Sequence, residues 1–365
     1  MGEVDVQQVL DQTSVIEEGT AAFDNWVLPR SPVYRSFWIY HVRNPNDIIN
    51  GGKPELQQKG PYTYLFAKVT ANIMWFMALA NKLFTISLIN AMHDNYIRIL
   101  RQLNLEKVTI LLILVPHLLC QGLLNAIIKS SNSSLFQVRS VKELLWGYRD
   151  PFLEKIPIDS IDKTTGLFYP NNGTADGIYH VYNGKGDISK VAIIDRYKEA
   201  KALPYWNDDF CDMINGTDAA SFPPSVKKDK RLYFFSSEIC RSIYGIFEKE
   251  YMVKGIKLYR FVVTEDAMAS PTKNPDNHCF CKDFQLSRNC TAAGVLDLRS
   301  CQGGKPIFLS LPHFLYASDY LLDSVSGLKP NKEEHETYID VEPITGFTMH
   351  FAKRLQVNVM IQPTD

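Results

Sequence analysis

The sequence predicts one large α+β domain rich in short strands, and three observations predict it. Aromatic residues make up 12% of the chain, with 20 Phe, 18 Tyr and 5 Trp, and such rings suit pleated, half-buried surfaces. Strings of β-branched and aromatic residues recur between Gly, Pro, Asn and Asp, the punctuation of strands and turns. Near the C-terminus Leu355, Val357, Val359 and Ile361 alternate with Gln356, Asn358 and Met360, the period of 2 expected of a sheet with one buried face. Hydrophobic residues at 45% and charged residues at 22% over 365 positions allow a sizeable core and exclude a disordered or collagenous chain. Lys+Arg at 39 against Asp+Glu at 40 leaves a formal charge of −1, so no global field attracts nucleic acid.

The elements follow in order. VYRSFWIYHV over 33–42 reads as a strand, closed by Asn44-Pro45. Gly51-Gly52 and Gly60-Pro61 then punctuate turns, and Tyr62-Thr63-Tyr64 opens another extended piece. Over 72–105 the texture changes to Met, Trp, Ile, Asn and Leu without Gly or Pro. VKELLW over 141–146 reads as a short helix that Gly147 stops. Strand-like islands follow at 191–194, 257–263 and 307–311. Between them Ser236 precedes Ile239, Ile243, Ile246 and Phe247, with Glu238 in the first turn, which predicts one amphipathic helix. Phe234-Phe235 beside Tyr233 reads as core entering that helix. No internal repeat and no Gly/Ser or Pro-rich linker divides the chain, so one domain is simplest.

The search for chemistry points away from an enzyme. G-x-S-x-G, G-x-x-x-x-G-K-[ST] and H-E-x-x-H are absent, since His335-Glu336 runs on into Thr337, Tyr338 and Ile339. The acidic runs 207–209 and 333–336 match no calcium loop and read as solvated loops. The Gly-Gly-Lys-Pro turns at Gly51 and Gly303 lack the Ser or Thr of a phosphate cradle, and Pro removes an amide donor. No cofactor and no metal is expected.

Cysteines and sequons indicate the compartment. Cys120 stands alone, whereas Cys211, Cys240, Cys279, Cys281, Cys290 and Cys301 crowd one stretch. Six such residues in an oxidising compartment make three disulfides whose pairing spacing alone leaves open, and a zinc site would need paired knuckles that this spacing lacks. Acceptor triplets at Asn132, Asn172, Asn215 and Asn289 join the cysteines in favouring a lumenal or extracellular chain. The first residues carry neither a basic nor an apolar signal region, and Met1-Gly2 lacks the Ser or Thr at position 6 that myristoylation wants. Val108 to Ile128 is uncharged and long enough to span a bilayer, but Pro116, His117, Gln121, Gly122 and Asn125 make it a weak candidate.

Longer strings are more specific: Glu17 to Trp26, Gln58 to Tyr64, Glu143 to Asp150, Cys211 to Asp218, Asn274 to Cys281, Ser310 to Tyr316 and Val341 to Phe347. They resemble the class B scavenger receptor family, nearest its fatty acid translocase branch, over residues 17–66 and 133–364. The resemblance implies an ectodomain with an antiparallel β-barrel-like core, a helical bundle at the membrane-distal apex and an apolar tunnel for lipid. It implies the pairs Cys211–Cys279, Cys240–Cys301 and Cys281–Cys290, with Cys120 left out. It implies a non-catalytic receptor on the extracellular face of the plasma membrane. Its ligands would be long-chain fatty acids, oxidised phospholipids and lipoprotein particles, with extracellular matrix glycoproteins as further partners.

Departures limit what carries over. Residues 1–16 stand where the family has a membrane anchor, and Asp365 precedes the point where the second anchor would follow, as in a truncated or variant ectodomain. Residues 67–122 diverge from the family. The family's apical lysine pair falls at Ser130 and Asn132, which leaves Lys129 as the one ligand-binding candidate. The alternative reading is an extracellular adhesion module whose tunnel is lost through the altered block.

Overall fold

A computed structural model of the chain describes residues 13–27, 33–66, 83–84, 126–131, 136–156, 161–169, 174, 176–282, 287–305 and 307–359. In chain order the strands are β1 (Val33–Val42), β2 (Leu56–Phe66), β3 (Leu83–Phe84), β4 (Tyr148–Arg149), β5 (Thr164–Thr165), β6 (Tyr179–Val181), β7 (Ile194–Tyr197), β8 (Leu232–Ser236), β9 (Arg241–Val253), β10 (Ile256–Val262), β11 (Leu296–Asp297), β12 (Ile307–Ser310), β13 (Tyr338–Val341), β14 (Thr348–Ala352) and β15 (Leu355–Val359). Six form one sheet in the order β11-β12-β15-β3-β1-β2, and five form a second in the order β14-β13-β10-β9-β8. The fold is thus α+β with antiparallel sheets, one curled into a half-barrel. β3 is the exception to the antiparallel pairing, running parallel to both β1 and β15.

Local chemistry explains the elements. β1 is dense in aromatic and β-branched residues without alternation because it is buried on both faces from Arg35 to Tyr40. Its polar members are paired: the Ser36 and Thr63 hydroxyls lie 2.8 Å apart. The helix Val141–Trp146 starts where Ser140 and Glu143 cap each other's backbone N–H, and ends at Gly147, whose φ of 116° suits glycine. Phe234 and Phe235 are core, as their sequence setting indicates, while Tyr233 is exposed.

Four expectations are corrected. The helix expected after Ser236 is a single 3-10 turn, Ser237–Ile239, that opens directly into the thirteen-residue strand β9. Ile243 and Phe247 are four apart, an even spacing that a strand also places on one side, and both pack on the core of the second sheet. Pairing with β8 and β10 decides the matter. Secondly, Gly60-Pro61 is no turn but part of β2, where the register shifts between Phe37 and Ile39. The shift accommodates a residue with no N–H, and a Cβ on Gly60 would meet the Phe37 carbonyl at 2.6 Å. Thirdly, β15 does not expose its even positions: Gln356 is buried, accepting from the Tyr40 hydroxyl at 2.9 Å and from the His313 N–H at 2.8 Å. Fourthly, 333–336 is not a solvated loop. Asn331 caps the short helix Lys332–His335, and His335 and Glu336 are buried.

The two sheets are clamped by ions. Glu238 receives the Arg35 guanidinium of β1 at 2.8 Å and the Lys353 ammonium, between β14 and β15, at 2.5 Å. Burial alone would raise the Glu238 carboxyl, but Lys353 and Arg35 outweigh it and bring its pKa down to about 2. Removing the acid takes a carboxylate from two cations whose side chains are only 5% and 6% exposed. Glu238→Gln is expected to cost about 3 kcal/mol in denaturant unfolding at pH 7.

A second buried polar group is neutral. The rings of His313 and His335 stack at 4.4 Å, 7° from parallel. Each Nδ1 accepts a backbone N–H, from Lys329 and Asn331 respectively, at 2.9 Å. The proton of His313 therefore sits on Nε2, donating to Gln58 Oε1. Burial and then His335 push its pKa down to about 4. The unfolded chain binds this proton first, so stability is intact above pH 6.5 and falls as pH drops towards 4. Between pH 6.5 and 4.5, above the window in which Glu238 loses its contribution, His313→Gln should flatten the slope of unfolding free energy on pH by about 1 kcal/mol per unit.

Candidate functional site

The disulfides frame a group of cavities. Cys211 is bonded to Cys279, Cys240 to Cys301 and Cys281 to Cys290, the three pairs that the resemblance implies. Cys240, at φ 55°, ends the 3-10 turn and hands the chain to β9, so its partner bond pins the point where the fold changes direction. Cys211, Cys240 and Cys279 are themselves core, packed with Trp206, Ile239, Leu296, Leu298 and Leu309. The Trp206 indole N–H donates to the Cys240 carbonyl at 2.7 Å, so the largest buried side chain has its polar atom satisfied.

Arg241 is the first residue of β9 and is 8% exposed. In the sequence it is a single charged residue between Cys240 and Ser242-Ile243, with no local motif to mark it. Its Nη1 donates to the Ala267 carbonyl at 3.1 Å, its Nη2 to Asn277 Oδ1 at 3.2 Å, and its guanidinium lies 3.6 Å from the Phe280 ring centroid. Asn277 is held in turn by donating to the carbonyls of Asp266 and Ala269, each at 2.9 Å. Burial lowers the Arg241 pKa to about 9, still charged at neutral pH.

Three voids meet at this side chain. One of about 90 Å³ lies between Phe280, the Cys281–Cys290 bridge, Leu296, Phe308 and Leu321. A second of about 170 Å³ is walled by Phe210, Met213, Tyr233 and Tyr244 with Asp266 and Asp276. A third of about 20 Å³ is lined by Ile239, Ile243, Val263, Leu311 and Leu355. Apolar walls that converge on a buried guanidinium, with Lys282 and Asp297 also on the first cavity and Lys353 on the third, are the chemistry of an amphiphile site.

The other candidates lie elsewhere. Lys129 is exposed on the helical segment 126–131 and makes no ion pair among the described residues. Ser130 is exposed beside it. Asn132, Asn172 and Cys120 lie outside the described residues, as does all of the apolar stretch before residue 126. Among the described residues no helix is long and apolar enough to cross a membrane. Asn289 is exposed with a left-handed φ of 56°, and Asn215 is half-buried, its N–H donating to Ser242 Oγ at 2.8 Å. Asp208, His278 and Cys279 cluster closely enough to suggest a metal set, but the Cys279 sulfur is bonded to Cys211 and supplies no thiolate. His278 Nε2 instead meets Asp208 at 3.2 Å.

Loop length ranks the bridges. Cys240–Cys301 spans 61 residues and Cys281–Cys290 spans 9. Removing the first pair by double alanine substitution is expected to cost about 4 kcal/mol and the second about 3 kcal/mol, measured as unfolding free energies of the secreted protein.

Comparison with known proteins shows the family. Residues 3–365 match the CD36 family, a span that includes 67–122. Human lysosome membrane protein 2 is 35% identical over 99% of this chain and 76% of its own length, and the rat protein is 34% identical over the same shares. Pig scavenger receptor class B member 1 is 30% identical over 98% of this chain and 70% of its own length. The chain belongs to the CD36 family, the class B scavenger receptors that its sequence strings resemble.

Proposed function

We propose that this chain is the ligand-receiving ectodomain of a cell-surface scavenger receptor that binds long-chain fatty acids and oxidised lipids or lipoproteins. It passes lipid through an apolar interior towards the bilayer and performs no covalent chemistry. The observation that carries the reading is a set of cavities with largely apolar walls that meet at the buried Arg241 guanidinium, in a chain of this family. Each methylene moved from water into such walls contributes about 0.8 kcal/mol, and a cation fixes which end of the acyl chain stops there. In the same reading Lys129 meets anionic ligands at the surface, an apical helical bundle surrounds the tunnel mouth, and Asn132, Asn172, Asn215 and Asn289 carry glycan. Its seat is the extracellular face of the plasma membrane.

A second reading, an adhesion module for extracellular matrix glycoproteins, draws on a different observation. Met252, Ile256, Ile344 and Met349 are 60%, 41%, 55% and 51% exposed at the two hairpin ends that the β10–β13 register places side by side. Such apolar exposure suits a protein partner.

One experiment separates the two. The protein is secreted from a eukaryotic host, its lipid is extracted and identified by mass spectrometry, and the delipidated protein is titrated with oleate. Co-purified acyl lipid near one per chain and saturable rebinding support the receptor. A cooperative, disulfide-bonded protein that is empty and does not rebind favours the adhesion module.

A further inference from the structure

Arg241 is a buried cation whose described partners are all neutral. Its three hydrogen bonds run to two carbonyls and an amide oxygen: Ala267 O, Ser242 O at 3.4 Å and Asn277 Oδ1. A guanidinium carries five N–H groups in one plane, and the described hydrogen bonds engage Nε, Nη1 and Nη2 once each, with the Phe280 ring centroid 3.6 Å away. A buried charge without a counter-charge is costly. Here that charge borders three cavities.

We propose that the Arg241 guanidinium receives the carboxylate of an aliphatic monoanion in the cavity between Phe280 and the Cys281–Cys290 bridge. The proposal rests on the lipid-binding reading and names the group on the protein that stops the acyl head. Lys282 also lines this cavity, but its residue is exposed and its ammonium donates to the Trp206 carbonyl, so the buried charge to be balanced is the single guanidinium, which one carboxylate neutralises. The walls select the cavity. Asp266 and Asp276 stand on the wall of the larger void and repel an anion there. The one carboxylate on the chosen cavity's described wall, Asp297, is already held by Arg299, Nε to Oδ2 at 2.9 Å. Met268, Val295, Leu296, Phe308 and Leu321 supply the apolar sides. About 90 Å³ admits the carboxylate and a short aliphatic stretch.

The test titrates the delipidated, disulfide-intact protein with octanoate, octanol and oleate by calorimetry. Octanoate should bind at least about tenfold more tightly than octanol, the size of one charge-assisted hydrogen-bonded pair. Ala292→Trp fills the cavity from its wall without removing any Arg241 hydrogen bond and should abolish octanoate binding. Leu321→Trp closes the same cavity from another wall and serves where the first variant fails to melt cooperatively. Octanol binding as tightly as octanoate overturns the carboxylate site, as does a preference for octanoate that survives both variants. Oleate binding without octanoate binding overturns the Arg241 site and leaves the lipid receptor standing. Binding of none of the three by a cooperatively melting protein overturns both.

Discussion

Glu238 holds the two sheets of this protein together. One of its oxygens takes Arg35 from β1, in the six-stranded sheet, and the other takes Lys353, where the chain leaves β14 for β15 and so crosses from one sheet to the other. Lys353 also donates to Ser236 Oγ at 2.7 Å, at the end of β8. Four strand ends therefore converge on one carboxylate. A hydrophobic contact at this junction would be indifferent to small rotations between the sheets, whereas three charged groups at hydrogen-bond distance fix both spacing and direction. The cavities beside Arg241 inherit their shape from this arrangement, since Lys353 and Leu355 share a wall with Ile239 and Ile243.

The disulfides act one layer further out. The Cys211–Cys279 and Cys240–Cys301 bonds belong to the same core cluster as Trp206, so the covalent frame and the apolar packing coincide rather than alternate. Loops around 265–282 and 287–305 contain little regular structure. Their order comes from bridges, from Asn277 tying two carbonyls, and from Arg241 tying a third. That is a suitable scaffold for walls that must stay apart: cross-links and hydrogen bonds define the loops' positions without filling the space between them.

Much of the fold was legible in the residues. β1, the helix Val141–Trp146 and the strands at Ile256–Val262 and Ile307–Ser310 are written in local patterns, because β-branched runs, a capping box and a stopping glycine act within a few residues. Two of the failures share one cause, partners distant in sequence. Spacing by fours after Ile239 satisfies helix and strand alike, and only β8 and β10 decide between them. Gln356 looks like a solvent position until Tyr40 and His313 arrive from far along the chain. The site was less legible still. The cysteine cluster announced a cross-linked frame, but the pairing came from family resemblance, and Arg241 is one charged letter whose meaning depends on Ala267, Asn277 and Phe280 folding over it.

The short strand β3 lies between β1, near the start of the chain, and β15, near its end, and runs parallel to both. β1 and β2 close a hairpin within a few tens of residues, so that pair can assemble early in synthesis. The remainder of its sheet waits for β15 to leave the ribosome. During that interval the described cover on this edge of β1 is the two-residue strand β3, opposite Phe37 and Trp38, and β3 gains its second partner only with β15. Such an edge is the kind of template on which nascent chains pair wrongly. The architecture thus ties completion of this sheet to pairings between strands far apart in sequence, and the hairpin stays open to mispairing until they form.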